Sequence, residues 1–154
     1  MENSELLGQS ALRKGRFSEP NGIYFITFVT LQRIPWFQEF EFAAAMCRTL
    51  NNPGSVQAAS MLCYVVMPDH VHALLQLGEK PLPVVIRTLK SVSASALNRS
   101  IGRSGGFWQA GYYDHALRKE EDLVGIARYI VANPLRSKLV AKVGDYPYWN
   151  AIWL

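Results

Sequence analysis

The apolar residues of the chain recur with two different periods. β-branched and aromatic runs predict strands at residues 23–31, 58–67 and 70–77, and residues 107–117 are predicted to be extended. Helical spacing predicts helices at residues 37–50, 83–101 and 119–132. The acidic residues 120–122 fall in the predicted first turn of the last helix, where the helix dipole favours negative charge. Its apolar stripe comprises Leu123, Ile126, Ala127, Ile130 and Val131.

This order of elements predicts an α+β fold. One strand hairpin and interleaved helices favour an antiparallel sheet with helices packed on it. The 154 residues are enough for a single domain with a buried core. We therefore expect one domain at residues 21–154, preceded by a basic N-terminal arm at residues 1–20.

Composition and charge narrow the class of protein. The chain is 49% hydrophobic and 18% charged, which is ordinary for a globular protein, and its net charge of +4 suits a polyanionic partner. Its two cysteines match neither a disulfide framework nor a CxxC metal motif. Nothing at the N-terminus resembles a signal peptide, and no run reaches the roughly 20 apolar residues of a membrane span. We therefore expect a cytoplasmic protein with no membrane partner.

Two of the three histidines lie in one tripeptide, His70-Val71-His72, within a predicted strand. Side chains alternate along a strand, so His70 and His72 share one face and Val71 points to the other. Two adjacent neutral imidazoles can begin a divalent metal site, but they cannot complete one. The pair therefore predicts a metal site with further ligands from elsewhere in the chain.

Tyr129 and Asn133 lie together on the last predicted helix, away from its apolar stripe. At about 100° per residue, Tyr129 falls about 130° and Asn133 about 90° from the centre of the stripe, one turn apart. A helical tyrosine is more often a packing or surface residue. A phenol beside an amide oxygen and a histidine pair nevertheless suggests a nucleophile that forms a phosphotyrosine ester. The cation would be Mg²⁺, which prefers oxygen ligands, or Mn²⁺, which imidazole favours.

Four segments resemble the REP-associated branch of the single-tyrosine HUH transposases, in the order found in that family. They are residues 12–16 with 24–30, the His-Val-His segment at 65–75, residues 107–109 with 114–118, and the tyrosine helix at 127–140. The resemblance implies a ferredoxin-like fold with metal ligands His70 and His72 and nucleophile Tyr129. It assigns the third-ligand role to Asn133, where some relatives have Gln.

The same resemblance implies a substrate and a reaction. The substrate would be single-stranded DNA, often next to a hairpin such as a repetitive extragenic palindrome (REP). The enzyme would cut it through a 5′-phosphotyrosine intermediate and transfer the strand, in association with the nucleoid. Relatives include both monomers and homodimers, so either state is compatible with the sequence.

Further residues are candidates for DNA contact or for structural roles. Trp108 can stack on an unpaired base, although aromatic residues at strand spacing more often lie in the core. His115 is either a structural hydrogen-bonded histidine or a neighbour of the metal site or of a DNA phosphate. The basic candidates for phosphate contacts are Arg13, Lys14 and Arg16 in the arm, which can equally be a solvated tail, with Arg118 and Arg136 as weaker candidates.

Two other functions compete with a transposase. A hydrolase of the histidine-triad kind also has alternating histidines on a strand, but it needs a third histidine at position 74, which is Leu74. A non-catalytic or domesticated DNA- or RNA-binding domain of the same fold is compatible with all the motifs. The non-catalytic domain would have kept the fold and lost turnover, whereas a domesticated protein would cut DNA without mobilising itself.

Overall fold

The fold is built on one five-stranded antiparallel sheet. A computed structural model describes residues 18–56, 59–118 and 121–153. The strands are β1 (Ile23–Val29), β2 (Ala59–Met67), β3 (His70–Leu77), β4 (Tyr113–Ala116) and β5 (Trp149–Ala151), in the order β4-β1-β3-β2-β5. The helices are α1 (Phe40–Asn51), α2 (Leu82–Ser100), α3 (Leu123–Val131) and the single turn α4 (Asn133–Arg136).

The chain order β1-α1-β2-β3-α2-β4 and the spatial order 4-1-3-2 form a ferredoxin-like arrangement, which confirms the predicted α+β fold. The strand predicted at residues 70–77 is β3. The extended segment at residues 107–117 pairs as a strand only at Tyr113–Ala116. The short β5 and α4 were not predicted, because three and four residues are too few to show a period.

The start of α3 differs from the prediction. The helix begins at Leu123, and Asp122 precedes it as the N-cap residue, so no acidic side chain lies in the first turn. A Cβ atom at Gly125 would lie 2.5 Å from Asp122 Oδ2. The missing side chain at Gly125 therefore makes room for the carboxylate of Asp122, and the predicted placement of acids within the first turn was wrong.

Each face of the sheet carries its own core. Helices α1 and α2 pack together on one face, over a cluster that includes Ile26, Phe28 and Val71. Helix α3 packs mainly on β2 of the opposite face, where Ala127 and Ile130 are fully buried. Since apolar layers cover both faces, the only polar side chains that a central strand can present are those near its ends.

Strand β3 begins with such polar side chains. Its four alternate residues Val71, Ala73, Leu75 and Leu77 are buried against α1 and α2, as the strand pattern predicts. The histidines at the other phase of the alternation therefore point to the face that carries α3. Burial of the apolar phase fixes this choice, because a one-residue slip would place His70 and His72 in the apolar core beneath α1 and α2.

The turn before His70 is held by backbone hydrogen bonds. Met67 pairs with His70, so Pro68 and Asp69 form a two-residue hairpin loop between β2 and β3. Thr30 donates to the carbonyl oxygen of Asp69 through its backbone N–H, at 2.9 Å, and through its hydroxyl, at 3.1 Å. These bonds hold the histidine-bearing end of β3 in a fixed position against the end of β1.

Helix α2 anchors the loop that leads to β4. Lys90 Nζ donates to the carbonyl oxygens of Gln109 and Gly111, both at 2.8 Å. The indole Nε1 of Trp108 donates to Ser93 Oγ at 2.9 Å.

Among the described helices, none is both long and apolar enough to cross a membrane.

Candidate active site

His70 and His72 lie side by side at the start of β3. Their ring centroids are 4.8 Å apart, and the rings are nearly perpendicular, at 79°. His72 also stacks on Phe25 of β1, with centroids 5.5 Å apart and an angle of 20° between the rings. The two imidazoles therefore form the polar end of an otherwise apolar sheet face.

Each imidazole is oriented by a hydrogen bond at Nδ1. Thr27, the residue directly opposite His72 on β1, places its hydroxyl oxygen 2.7 Å from His72 Nδ1. Asp69 Oδ1 lies 2.7 Å from His70 Nδ1. A carboxylate only accepts hydrogen bonds, so Nδ1 of His70 is the donor, and Nε2 is the ring nitrogen that can bind a metal. Outer contacts of this kind fix the tautomer and orientation of metal-binding histidines.

The carboxylate of Asp69 is itself held on its other side. The hydrogen bond with His70, followed by the one with Arg33, lowers the pKa of Asp69 to about 2 against the opposing effect of burial. Arg33 Nε donates to Asp69 Oδ2 at 3.0 Å. Asp69 is therefore ionised over the whole physiological range and bridges Arg33 to His70.

His72 is a neutral imidazole at physiological pH. Burial, followed by the nearby charges of His70 and Arg136, lowers its pKa to about 3. Neutral imidazole is the form that binds a metal. The two histidines therefore fit a divalent cation through their Nε2 atoms.

The other ligands of such a cation must be of a different kind. Among the described residues, no group of three or more His, Cys, Asp or Glu side chains could hold a metal ion. Two imidazoles alone leave most of the coordination shell open. Amide oxygens, phosphate oxygens or water are thus the candidates that remain.

Tyr129 lies on α3, on the same side of the sheet as the histidines. Its side chain is 58% exposed, as expected for a residue off the buried stripe of the helix. The guanidinium carbon of Arg136 lies 3.6 Å from the centre of the Tyr129 ring. Because Arg136 also contributes to the lowered pKa of His72, one cation acts electrostatically on both halves of the site.

Asn133 follows α3 and caps its C-terminal end. Its Nδ2 donates to the carbonyl oxygens of Tyr129, at 3.3 Å, and Ile130, at 2.9 Å. Carbonyl groups at a helix C-terminus have no partner within the helix, so this contact stabilises the end of α3. The amide oxygen Oδ1 is the atom that can serve a metal.

The family follows from the sequence once these positions are known. The profile of the family described as Transposase IS200 like matches residues 19–133, which include the histidine pair, Tyr129 and Asn133. The chain belongs to this family. A Haemophilus influenzae protein classed as a REP-associated tyrosine transposase is 31% identical over 141 residues, covering 82% of this chain and 78% of that protein. The REP-associated tyrosine transposase of Escherichia coli is 28% identical over 87 residues, covering 55% of this chain and 50% of that protein.

Solved structures show that the chain shares its fold with proteins described as transposases. A REP-associated tyrosine transposase bound to a REP hairpin matches with a TM-score of 0.67 and 21% identity, covering 87% of this chain and 79% of that one. A Deinococcus radiodurans protein described as a transposase matches with a TM-score of 0.56 and 23% identity, covering 75% of this chain and 93% of that one. At this level of identity the match concerns the fold alone.

The other residues predicted to contact DNA or to adjoin the site are spread over the molecule. Trp108 is only 9% exposed and bonds Ser93, so its ring belongs to the core and is not open for stacking on a base. His115 is exposed on β4, with Nε2 3.4 Å from Glu121 Oε1. Arg118 is exposed just after β4. The three basic residues of the arm, Arg13, Lys14 and Arg16, lie outside the described residues.

Sequence reasoning missed three residues that orient the site. Thr27 could have been found only from the register between β1 and β3, which no local pattern reveals. Asp69 precedes His70 in the sequence, and its place in a tight turn was the available signal. Arg33 lies 36 residues before Asp69 in the chain, so only the folded structure shows the contact between them.

Proposed function

We propose that this chain is a metal-dependent single-stranded DNA endonuclease and strand transferase that acts through a 5′-phosphotyrosine intermediate. Family membership supports a transposase. The observation that carries the proposal is the placement of exposed Tyr129, under the guanidinium of Arg136, on the sheet face that presents His70 and His72. A nucleophile, a cation and two metal-binding nitrogens on one face are the groups that phosphodiester cleavage requires.

Tyr129 is proposed as the nucleophile. Its phenolic oxygen would attack the scissile phosphorus, forming a tyrosyl O–P bond as the bond between phosphorus and the 3′ oxygen breaks. The phenol loses its proton and the departing oxygen gains one, so the products are a 5′-phosphotyrosyl end and a free 3′-hydroxyl. The ester keeps the energy of the broken bond, so a 3′-hydroxyl of another strand can reverse the reaction without ATP.

Arg136 is placed to act on the same step. A guanidinium is always charged and binds phosphate oxygens in a bidentate manner. Its position on the ring of Tyr129 would bring the phosphate and the phenol together and offset the charge that builds up on phosphorus.

His70 and His72 are proposed to hold the metal through Nε2, with Oδ1 of Asn133 as the third ligand. When bound, Mg²⁺ or Mn²⁺ would polarise the scissile phosphate. Thr27 and Asp69 would keep both imidazoles in the orientation that presents Nε2. EDTA is accordingly expected to stop cleavage.

The substrate is proposed to be single-stranded DNA beside a hairpin. The net charge of +4 suits a polyanion, and the REP-associated transposase with the same fold was solved bound to a REP hairpin. Residues 1–20 would form a basic arm on the DNA backbone through Arg13, Lys14 and Arg16, and Arg118 would add a contact from the folded domain. We expect the protein to act in the cytoplasm, at the nucleoid, as a monomer or a homodimer.

The test of this function is the change Tyr129→Phe. Phe removes one exposed oxygen, so folding and DNA binding should be retained while the covalent protein–DNA complex is lost. The substrate would be a palindromic hairpin with single-stranded tails from the DNA that flanks the gene, with Mg²⁺ or Mn²⁺ present. Mass spectrometry of the wild-type adduct should locate the phosphate on Tyr129.

The matched control is Tyr113→Phe, in β4, which should leave the covalent complex unchanged. Normal cleavage by Tyr129→Phe, or an adduct on another tyrosine, would contradict the assignment. Tight hairpin binding by the wild type with no adduct under either metal would instead favour a non-catalytic binding protein.

A further inference from the structure

A cavity of about 310 Å³ lies next to Tyr129. It is formed between the β1–β4 edge of the sheet and α3 with the segment that precedes it, on the face that carries the histidines. Its lining combines an apolar floor with a polar rim. The lining residues are Phe25, His115, Leu117, Glu121, Ile126 and Tyr129.

The cavity adjoins both halves of the proposed active site. Tyr129 forms one wall, and Phe25 in the floor stacks on the imidazole of His72. Phe25 pairs with His115 across β1 and β4, so the sheet register itself places an imidazole beside the aromatic floor. A group bound in the cavity therefore contacts the side chain of Tyr129 directly and is separated from His72 by the ring of Phe25.

We propose that this cavity binds one unpaired nucleobase of the nucleotide next to the scissile phosphate. This inference rests on the proposed function, because it takes Tyr129 as the nucleophile. Attack requires the phosphorus to come within roughly 3–3.5 Å of the phenolic oxygen. The base of an adjoining nucleotide is tied to that phosphate through a single sugar, so it must lie within reach of the wall that Tyr129 forms.

The lining suits a base better than it suits a phosphate or a sugar. The floor of Phe25, Leu117 and Ile126 carries no charge, so it offers nothing to a phosphate. An unpaired base can instead stack on an aromatic ring such as that of Phe25. The cavity volume falls in the range of about 300–1,000 Å³ that is usual for small-molecule sites.

The rim indicates which bases are preferred. His115 Nε2 lies 3.4 Å from Glu121 Oε1, within reach for a weak hydrogen bond that leaves Glu121 Oε2 to accept another. A carboxylate only accepts hydrogen bonds, so it favours a base with an exocyclic amino group. Cytosine, adenine and guanine carry such a group, whereas the one free ring N–H of thymine lies between two carbonyl oxygens that a carboxylate repels. The site is therefore expected to prefer cytosine over thymine.

Photocross-linking tests the location of the base. Short single-stranded oligonucleotides that carry 5-iodocytosine would be irradiated with the wild-type protein in EDTA, so that no cleavage occurs. The cross-linked peptides should contain Phe25, His115 or Tyr129. Ile126→Phe, which fills the cavity, should reduce this cross-link. Cross-links confined to other peptides, or unchanged by Ile126→Phe, would refute the site.

Affinity tests the rim without altering the packing of the floor. In fluorescence anisotropy, oligo-dC should bind the wild type about threefold to tenfold more tightly than oligo-dT. This ratio is the range expected for one hydrogen bond. Glu121→Ala should remove this preference, and Glu39→Ala, at an exposed position before α1, should keep it. An equal preference in Glu121→Ala and Glu39→Ala would refute the role of the rim.

Failure of the base site and failure of the proposed function give different results. If Tyr129→Phe abolishes the covalent complex while cross-links map elsewhere, the transferase stands and the base site is refuted. If cross-links map to the cavity and Glu121→Ala loses the preference for dC, the base site is supported even where no covalent complex forms.

Discussion

Removing the carboxylate of Asp69 should weaken metal binding without unfolding the protein. In Asp69→Ala, His70 loses the 2.7 Å contact that fixes its tautomer, and Arg33 loses its 3.0 Å partner. The turn itself depends on the backbone carbonyl of Asp69, which accepts from Thr30 and is unaffected by the change. The variant should therefore fold normally but present Nε2 of His70 less well.

The magnitude follows from the kind of contact. Loss of an outer hydrogen bond to a metal-binding histidine typically costs 10- to 100-fold in metal affinity, or about 1.4–2.7 kcal/mol. Arg33 contacts Asp69 and is partly exposed, so Arg33→Ala should cost less than about 1 kcal/mol of metal-binding free energy. In the double variant the effect of Arg33 should disappear, because the carboxylate that transmits it is already absent.

Mn²⁺ titration followed by electron paramagnetic resonance measures this affinity directly, in the absence of DNA. Asp145→Ala, which removes an exposed carboxylate far along the chain, is the matched control and should leave Mn²⁺ affinity unchanged. Thermal melting in EDTA should show that Asp69→Ala still unfolds cooperatively, at a lower midpoint than the wild type because the favourable contacts of the ionised carboxylate are lost. Equal Mn²⁺ affinity for Asp69→Ala and Asp145→Ala would refute the argument that Asp69 orients a metal ligand.

Two further predictions concern stability. The lowered pKa of His72, about 3 against 6.5 in the unfolded chain, means that the unfolded state binds a proton between these values and the native state does not. Stability should thus fall as pH drops from 6.5 to 4.5, by at most about 1.4 kcal/mol per unit, and urea melts of His72→Gln should show a flatter pH dependence. Ser93→Ala leaves the buried indole N–H of Trp108 without its acceptor and should cost about 1–3 kcal/mol, whereas Ser91→Ala, exposed on the same helix, should cost under about 0.5 kcal/mol. A Ser93→Ala variant as stable as Ser91→Ala would contradict the latter.

The sequence correctly predicted the side-chain positions that depend on the periodicity of a single strand or helix. Alternation placed His70 and His72 on one face of β3, because burial of Val71 and its alternate neighbours leaves no other arrangement. Helical spacing likewise predicted an exposed Tyr129. Both predictions depend only on residues within one element.

Contacts between elements could not be obtained in this way. Arg136 lies in the single turn α4, beyond the end of α3 at Val131, so its contact with the ring of Tyr129 joins two elements. The apolar pattern of α3 alone gives no contact for a residue that lies in α4. The role of Trp108 could not be decided from the sequence either. An aromatic residue in an extended segment has the same pattern whether it stacks on DNA or packs in the core, and only the structure shows its bond to Ser93.

The position of Asn133 was predicted from helical spacing, but its contacts are known only from the structure. Its role as a metal ligand can be tested by one substitution. The wheel placed Asn133 beside Tyr129 and the family resemblance implied a metal ligand, whereas the structure shows its Nδ2 bonded to two carbonyl oxygens at the end of α3. Asn133→Asp keeps an oxygen ligand and removes the donor. If Asn133 serves both roles, this variant should lose about 0.5–1.5 kcal/mol of stability and retain or gain Mn²⁺ affinity, because carboxylate oxygens suit Mn²⁺ and Mg²⁺ well. Asn133→Ala should lose both properties. Equal Mn²⁺ affinity in the Asp and Ala variants would show that Asn133 only caps the helix, and the third ligand would then have to come from DNA or water.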